Sequence, residues 1–280
     1  NLKRFIHKRK NFFFHKLDLN KINLKDKIKK KFHFIIHAAS YASPAIFMKY
    51  KNETINLSTN VLKNILDKCK SQKSTLLFIS SVDVYGNTGN NKKGISEEFN
   101  FENTLNLNRS MYGGSKRIGE SLCKFYAKNY DCKIYIVRPA NTYGPGLQLN
   151  DKRVVAEFIK KAKLDRKIHM LDSGEAIKTY GYIADICEMF LNIVQYGKYT
   201  VYNTTGQDNI SIKDLAKTIA LNYDNVEVSS PKTKSKLRHI GSDVSRVIIS
   251  SKRYNQEFKK TDYVYLQEGI KNTIDWLRRN

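Results

Sequence analysis

Short apolar runs alternate with longer amphipathic stretches through the first half of the chain. Phe12–Leu19, Phe32–His37, Thr75–Ser80 and Lys133–Arg138 are compact and mainly apolar, and read as buried strands. Between them, Glu53–Lys70 and Arg109–Tyr130 carry apolar residues at helical spacing over several turns. Strand and helix in alternation predict parallel pairing, with helices packed on both faces of the sheet. After Asn141 the pattern loosens. Helices are predicted over Arg153–Lys163, Ile183–Gln195, Ser211–Asn222 and Leu266–Arg279, with Ser211 as an N-cap and Pro231, among Lys and Ser neighbours, in a loop. The expected fold class is α/β, a doubly wound parallel sheet without internal repeats.

Such a sheet binds ligands beyond the carboxyl ends of its strands. Polar residues fall there after each of three predicted strands: His37-Ala38-Ala39-Ser40, then Ser80-Ser81-Val82-Asp83, then Arg138-Pro139-Ala140-Asn141.

Composition narrows the picture. A chain of 280 residues suits one or two domains with a real core, and its 41% hydrophobic content excludes collagenous, low-complexity and disulfide-framework classes. Of 14 glycines the first is Gly86, so the first 85 residues hold no glycine-rich phosphate-binding turn; the first methionine is Met48. The net charge is +24, and residues 1–33 alone hold 12 basic and 2 acidic side chains. A basic chain attracts anions in general, but no nucleic-acid motif accompanies the charge. The four cysteines, Cys69, Cys123, Cys132 and Cys187, show no metal-ligand spacing, and predict buried thiols in a reduced, cytoplasmic setting. No apolar run approaches membrane-spanning length, and Phe12-Phe13-Phe14 after the basic start is too short for a signal peptide.

The candidate chemistry centres on Tyr112-Gly113-Gly114-Ser115-Lys116. On a helix, positions i and i+4 share a face, which brings an ammonium beside a phenol. A free phenol, with a pKa of about 10, is a poor base at neutral pH, and a neighbouring cation favours its ionised form. Ser80-Ser81-Val82-Asp83-Val84-Tyr85-Gly86 ends a predicted strand upstream, where a hydroxyl can orient a reacting oxygen toward that phenol.

With these motifs in order, nearly the whole chain resembles the extended short-chain dehydrogenase/reductases, specifically the NAD-dependent nucleotide-sugar epimerases, dehydratases and decarboxylases. Ser81, Tyr112 and Lys116 match the family's catalytic triad. Phe32–Ser40 matches its strand ending in H-x-A-A/S beneath the cofactor, which assigns Ala38, Ala39 and Ser40 to NAD; Asp18-Leu19 matches the acidic-apolar pair that reads adenine. Arg138-Pro139-Ala140-Asn141-Thr142-Tyr143-Gly144-Pro145 matches the R-x-x-N-x-Y-G-P segment of the substrate site, and His37–Pro44 the H-A-A-S-x-A-S-P of surface-polysaccharide enzymes. Asn150–Val155 with Phe158-Ile159 is similar to a run found in UDP-glucuronate decarboxylases. Tyr182–Asp185 and Leu266–Trp276 fit as well.

The resemblance implies a Rossmann-type NAD-binding domain over residues 1–142, with 176–203 returning to it. A smaller α/β domain over 143–280 would mainly bind substrate. It implies a chain that begins after the family's first strand, glycine turn and first helix. Asn141, Arg153, Lys178 and Arg246 are the expected substrate ligands, with no metal. Lys178 stands where a substrate-loop arginine is common, a point charge in place of a bidentate fork. Asp83 joins the expected catalytic set: dehydratases carry Asp-Glu where this chain has Val82-Asp83, and decarboxylases carry Glu where Asp83 stands. The implied activity is modification of a nucleotide sugar, a UDP-sugar first, through a 4-keto intermediate. UDP-glucuronate decarboxylation for surface polysaccharide leads, with 4-epimerisation or 4,6-dehydration as alternatives, in a homodimer built on the Tyr112 helix. The rival reading is a non-catalytic family remnant that serves as a binding or assembly protein.

Overall fold

The computed structural model describes residues 11–22, 30–86, 88, 91, 93–99, 110–231 and 246–280. In chain order the elements are β1 (Phe34–His37), α1 (Pro44–Lys49), α2 (Lys51–Ser58), α3 (Asn60–Gln72), β2 (Thr75–Ile79), a 3-10 turn (Val82–Tyr85), α4 (Ser110–Tyr130), β3 (Ile134–Pro139) and β4 (Asn141–Tyr143). There follow α5 (Val154–Asp165), β5 (Lys167–His169), β6 (Ile177–Tyr182), α6 (Ile183–Tyr196), β7 (Val201–Thr204), β8 (Asp208–Ser211), α7 (Ile212–Ala220), β9 (Glu227–Ser229), β10 (Arg246–Val247), α8 (Lys252–Phe258) and α9 (Leu266–Arg279).

The first sheet runs β1-β2-β3-β7, every neighbour parallel. Its central strands are near-continuous apolar runs because both faces are covered. Leu76, Phe78, Ile134 and Ile136 pack under Leu62, Leu66 and Cys69 of α3 and Cys123 and Tyr126 of α4. On the other face Leu77, Tyr135 and Val137 meet Ile186, Met189 and Ile193 of α6. A second sheet, β10-β6-β4 with β8 antiparallel on β6, packs with α5, α7 and α9 around Ile159, Tyr180, Leu215 and Ile270. The β5–β9 pair forms its own ladder, with Ile168 in the same core. The fold is α/β with parallel sheets, as the alternation predicts.

Two expectations are corrected. Phe12–Leu19 is not a strand: residues 12–18 are coil with exposed Phe12, Phe13 and Phe14, and the chain turns after Asp18. Asp18 takes the Asn20 amide on its side chain and the Lys21 amide on its carbonyl, local bonds that compete with strand pairing. The single helix over Glu53–Lys70 is instead split at Thr59, between α2 and α3. The break frees the Leu57 carbonyl, which accepts from His37 Nε2 at 2.8 Å, and Ser58 O comes to lie where a Cβ on Gly119 of α4 would meet it at 2.9 Å.

The remaining elements follow the pattern closely. Arg109, the expected start of the Tyr112 helix, lies outside the described residues, as do the lysines just after Pro231. Ser211 caps α7 through its Oγ, which accepts from the Asp214 amide at 3.0 Å. All four cysteines are free; Cys69 and Cys123 are buried, Cys132 is half-buried and Cys187 exposed. No helix among the described residues is long and apolar enough to cross a membrane.

Candidate active site

Strand ends and one long helix build the site. Helix α4 buries a single face, with Tyr112, Gly113, Ser115, Lys116, Gly119, Glu120, Cys123 and Tyr126 at spacings of one, three and four. That face lies against the carboxyl end of β2, which puts Tyr112 and Lys116 under the loop that holds Ser81. The Lys116 ammonium is 5.9 Å from the centre of the Tyr112 ring and donates to the Ile79 carbonyl at 2.8 Å. Burial pushes its pKa down to about 8, against the pull of Glu120.

Ser81 caps the 3-10 turn, its Oγ accepting from the Asp83 amide at 3.1 Å. The turn comes so close to α4 that a Cβ at position 113 would collide with the Asp83 carbonyl. Gly113 is thus what lets Ser81 and Asp83 approach the helix that carries Tyr112. The sequence motif contained this glycine but gave it no role.

Phe47 was also missed. It is fully buried on α1, and its ring stacks on Tyr112 with centroids 4.6 Å apart and planes within 5°. The stack holds the phenol ring flat, and no residue spacing announced it. His37 is buried beneath, stacked on Phe78, and desolvation lowers its pKa to about 4, so its imidazole is neutral and structural.

The expected cofactor residues fall in two places. Ala38 to Ser40 follow β1 directly, and Ser40 Oγ is buried without a hydrogen-bond partner. A buried, orphaned hydroxyl at the end of β1 fits a hydroxyl-bearing group such as the ribose of NAD. Asp18 is exposed on its turn, while Leu19 and Ala39 pack against the α3–α4 core.

The expected substrate residues are only partly gathered. Asn141 begins β4, exposed, its amide donating to the Thr179 carbonyl at 3.0 Å. Arg153 caps α5 and closes its guanidinium on Asp151 at 2.8 and 2.6 Å. In the β10–β6 ladder Arg246 lies beside Ile177 and Lys178 beside Val247, so Arg246 and Lys178 leave the sheet on opposite faces. Arg246 Nε is buried with no hydrogen-bond partner. Arg138 turns inward, its guanidinium bonded to both oxygens of Glu120. A cavity of about 610 Å³, lined by Gln207, Ser251, Asn255 and Lys260 among others, contains none of the expected site residues.

Comparison with known proteins bears on this arrangement. The chain is 27% identical over 246 residues to UDP-glucuronic acid decarboxylase 1 of Xenopus tropicalis, a match covering 88% of this chain and 56% of the relative. It is 30% identical over 187 residues to UDP-glucuronic acid decarboxylase 6 of Arabidopsis thaliana, covering 66% and 53%. The chain thus spans about half the length of these relatives. Its fold superposes with a TM-score of 0.83 on a UDP-glucuronic acid 4-epimerase from Bacillus cereus, solved with NAD and a fluorinated UDP-glucuronic acid; identity is 20%, over 99% of this chain and 85% of that one. A model of the NAD dependent epimerase/dehydratase family matches residues 2–204, which include every element of the Ser81, Tyr112 and Lys116 cluster. The chain therefore belongs to the NAD dependent epimerase/dehydratase family, whose cofactor is NAD.

Proposed function

We propose that the protein acts on a nucleotide sugar at C4, with UDP-glucuronate decarboxylation as the reaction. The observation that carries this reading is the convergence of Ser81, Tyr112 and Lys116 at the carboxyl end of β2, held there by Gly113. Residues 1–142 and 176–203 serve the cofactor, and 143–280 mainly serve the substrate. Lys116 and Ser40 would hold the nicotinamide ribose, with Ala38 and Ala39 beneath it and Asp18-Leu19 toward adenine. When bound, NAD takes up and returns hydride at sugar C4.

The chain's own groups do the rest. Tyr112 removes the 4-hydroxyl proton, helped by the adjacent Lys116 ammonium, while Ser81 orients the oxygen. The 4-ketone lies β to the uronic carboxylate, so carbon dioxide leaves with its bonding electrons held as an enolate. Asp83 is assigned the proton then delivered to C5. Asn141, Arg153, Lys178 and Arg246 are assigned to the UDP-sugar. Outward-facing Ile118 and Phe125 on α4 support a homodimer through that helix.

Val82-Asp83 lacks the acid–base pair that loss of water across C5–C6 requires, which favours decarboxylation over dehydration. Incubation with UDP-glucuronate and NAD⁺, followed by product NMR, tests the choice. UDP-xylose is expected; UDP-galacturonate would assign epimerisation, and absence of any sugar product would favour a non-catalytic role. Lys116 loses its charge as pH rises through about 8, so turnover is expected to fall there.

A further inference from the structure

Beneath the candidate catalytic pair lies a buried polar cluster that the proposed chemistry does not use. Glu120 sits one turn beyond Lys116 on the same face of α4, and the two residues are 5% and 2% exposed. Glu120 Oε1 accepts from Ser80 Oγ at 2.6 Å and from Arg138 Nε at 2.9 Å, and Oε2 accepts from Arg138 Nη2 at 2.6 Å. Lys116 meanwhile donates to the carbonyl of Ile79. Consecutive residues at the end of β2, Ile79 and Ser80, are therefore gripped by consecutive turns of α4, immediately before Ser81. Arg138 extends the grip to the Tyr85 hydroxyl at 2.9 Å and the Glu97 carbonyl at 3.2 Å. Both ends of the turn that carries Asp83 are thereby tied to one carboxylate.

A tie of this kind does not need to be ionic, because well-packed apolar groups stabilise a core as well as a buried ion pair does. A charge at this place has a further consequence for its neighbour. We propose that Glu120 is a positioning residue of the site: it fixes the Ser80–Ser81 corner against α4 and supplies the countercharge that holds the Lys116 ammonium beside Tyr112. The proposal rests on the reading of Tyr112 and Lys116 as the catalytic pair. Among the charged groups acting on Lys116, Glu120 has the largest effect, opposing the fall caused by burial. Among the described residues, Cys123 and Tyr112 on its own helix and His37 on β1 also face Lys116, while Asp83 lies against Gly113 and Arg138 on the Glu120 carboxylate. From β2 it meets a carbonyl and the Phe78 ring, 5.0 Å from its ammonium.

NMR titration of the full chain carrying ¹³C at lysine Cε reads this directly, with the Lys116 signal assigned by its loss in Lys116→Arg. The wild-type midpoint is expected near 8. Glu120→Gln should lower it by about one pH unit, and Glu120→Asp, which keeps the charge, should restore most of that shift. If Glu120→Gln fails to fold, Glu120→Gln/Arg138→Gln replaces the ion pair with neutral hydrogen-bonding groups; because it also removes the Arg138 charge on the far side of the carboxylate, its midpoint should fall in the same direction by a smaller amount. An unmoved midpoint in a neutral variant, or equal shifts in the Asp and Gln variants, would overturn the proposal. The titration requires no turnover. Failure of the enzyme to act on any nucleotide sugar would refute the catalytic reading alone, and an unmoved midpoint in an active enzyme would refute this one alone.

Discussion

The carboxyl ends of β2 and β3 and the outer edge of β1 belong to one sheet but are built to different standards. At the first, Ser80, Glu120, Arg138 and Tyr85 are buried and bonded to one another, and buried Lys116 bonds the adjoining Ile79 carbonyl. At the second, Phe34 and Ile36 are 50% and 47% exposed, and the preceding Phe12–Leu17 segment lies open as coil. Both regions carry residues expected to touch NAD, Lys116 in one and Asp18 in the other. Where the chemistry is proposed, the described residues over-determine geometry; where the adenine end is expected, they show a local turn.

Stability measurements can break this contrast. The largest loss is expected for Arg138→Met, which strands the Glu120 carboxylate in the core. Guanidinium unfolding should show a cost of about 3–5 kcal/mol, and a cost below 1 would mean that the cluster is looser than its geometry. Lowering the pH should act next. His37 is neutral in the fold down to about 4, while in the unfolded chain it takes up a proton near 6.5. Its contribution is therefore full above pH 6.5 and lost as pH falls toward 4, on the order of 3 kcal/mol, and His37→Gln should flatten that part of the urea-midpoint profile.

Gly113→Ala is expected to cost about 1–3 kcal/mol, since backbone must move to admit the methyl group. Its effect on turnover should exceed its effect on unfolding, because the shift separates Ser81 and Asp83 from Tyr112; equal activity in this variant would remove the glycine from the account. The smallest effect belongs to the open edge. Asp18→Ala, at an exposed turn, should change stability by no more than about 0.5 kcal/mol. A larger loss in its unfolding curve would show that this edge is as tightly built as the centre.

The same contrast explains what could be read in advance. Leu266–Arg279, the Ser211 cap and the central strands were legible because periodicity, capping and continuous apolar runs are local signals. The placement of Ser81 at a strand end and of Tyr112 and Lys116 on one helix face was legible for the same reason, while their proposed roles came from the family resemblance. The break at Thr59 was not, since its cause is His37 reaching Leu57 from another element. Phe47 and Glu120 were hidden for the same reason: their partners lie 65 and 18 positions away, and only the packed structure brings them together. Phe12–Leu19 misled because three consecutive aromatic residues look like a core strand, while the Asp18 turn that follows consumes the local hydrogen bonds.

The central claim is that Tyr112 does its work on a nucleotide sugar, and Tyr112→Phe isolates it, since a phenylalanine keeps the stack on Phe47 and removes only the hydroxyl. With UDP-glucuronate and NAD⁺, product NMR of the wild-type protein should show UDP-xylose accumulating. The variant should be slower by about 100-fold or more while still unfolding in one cooperative transition. Turnover at the wild-type rate in Tyr112→Phe, or no sugar product from the wild-type protein, would contradict it.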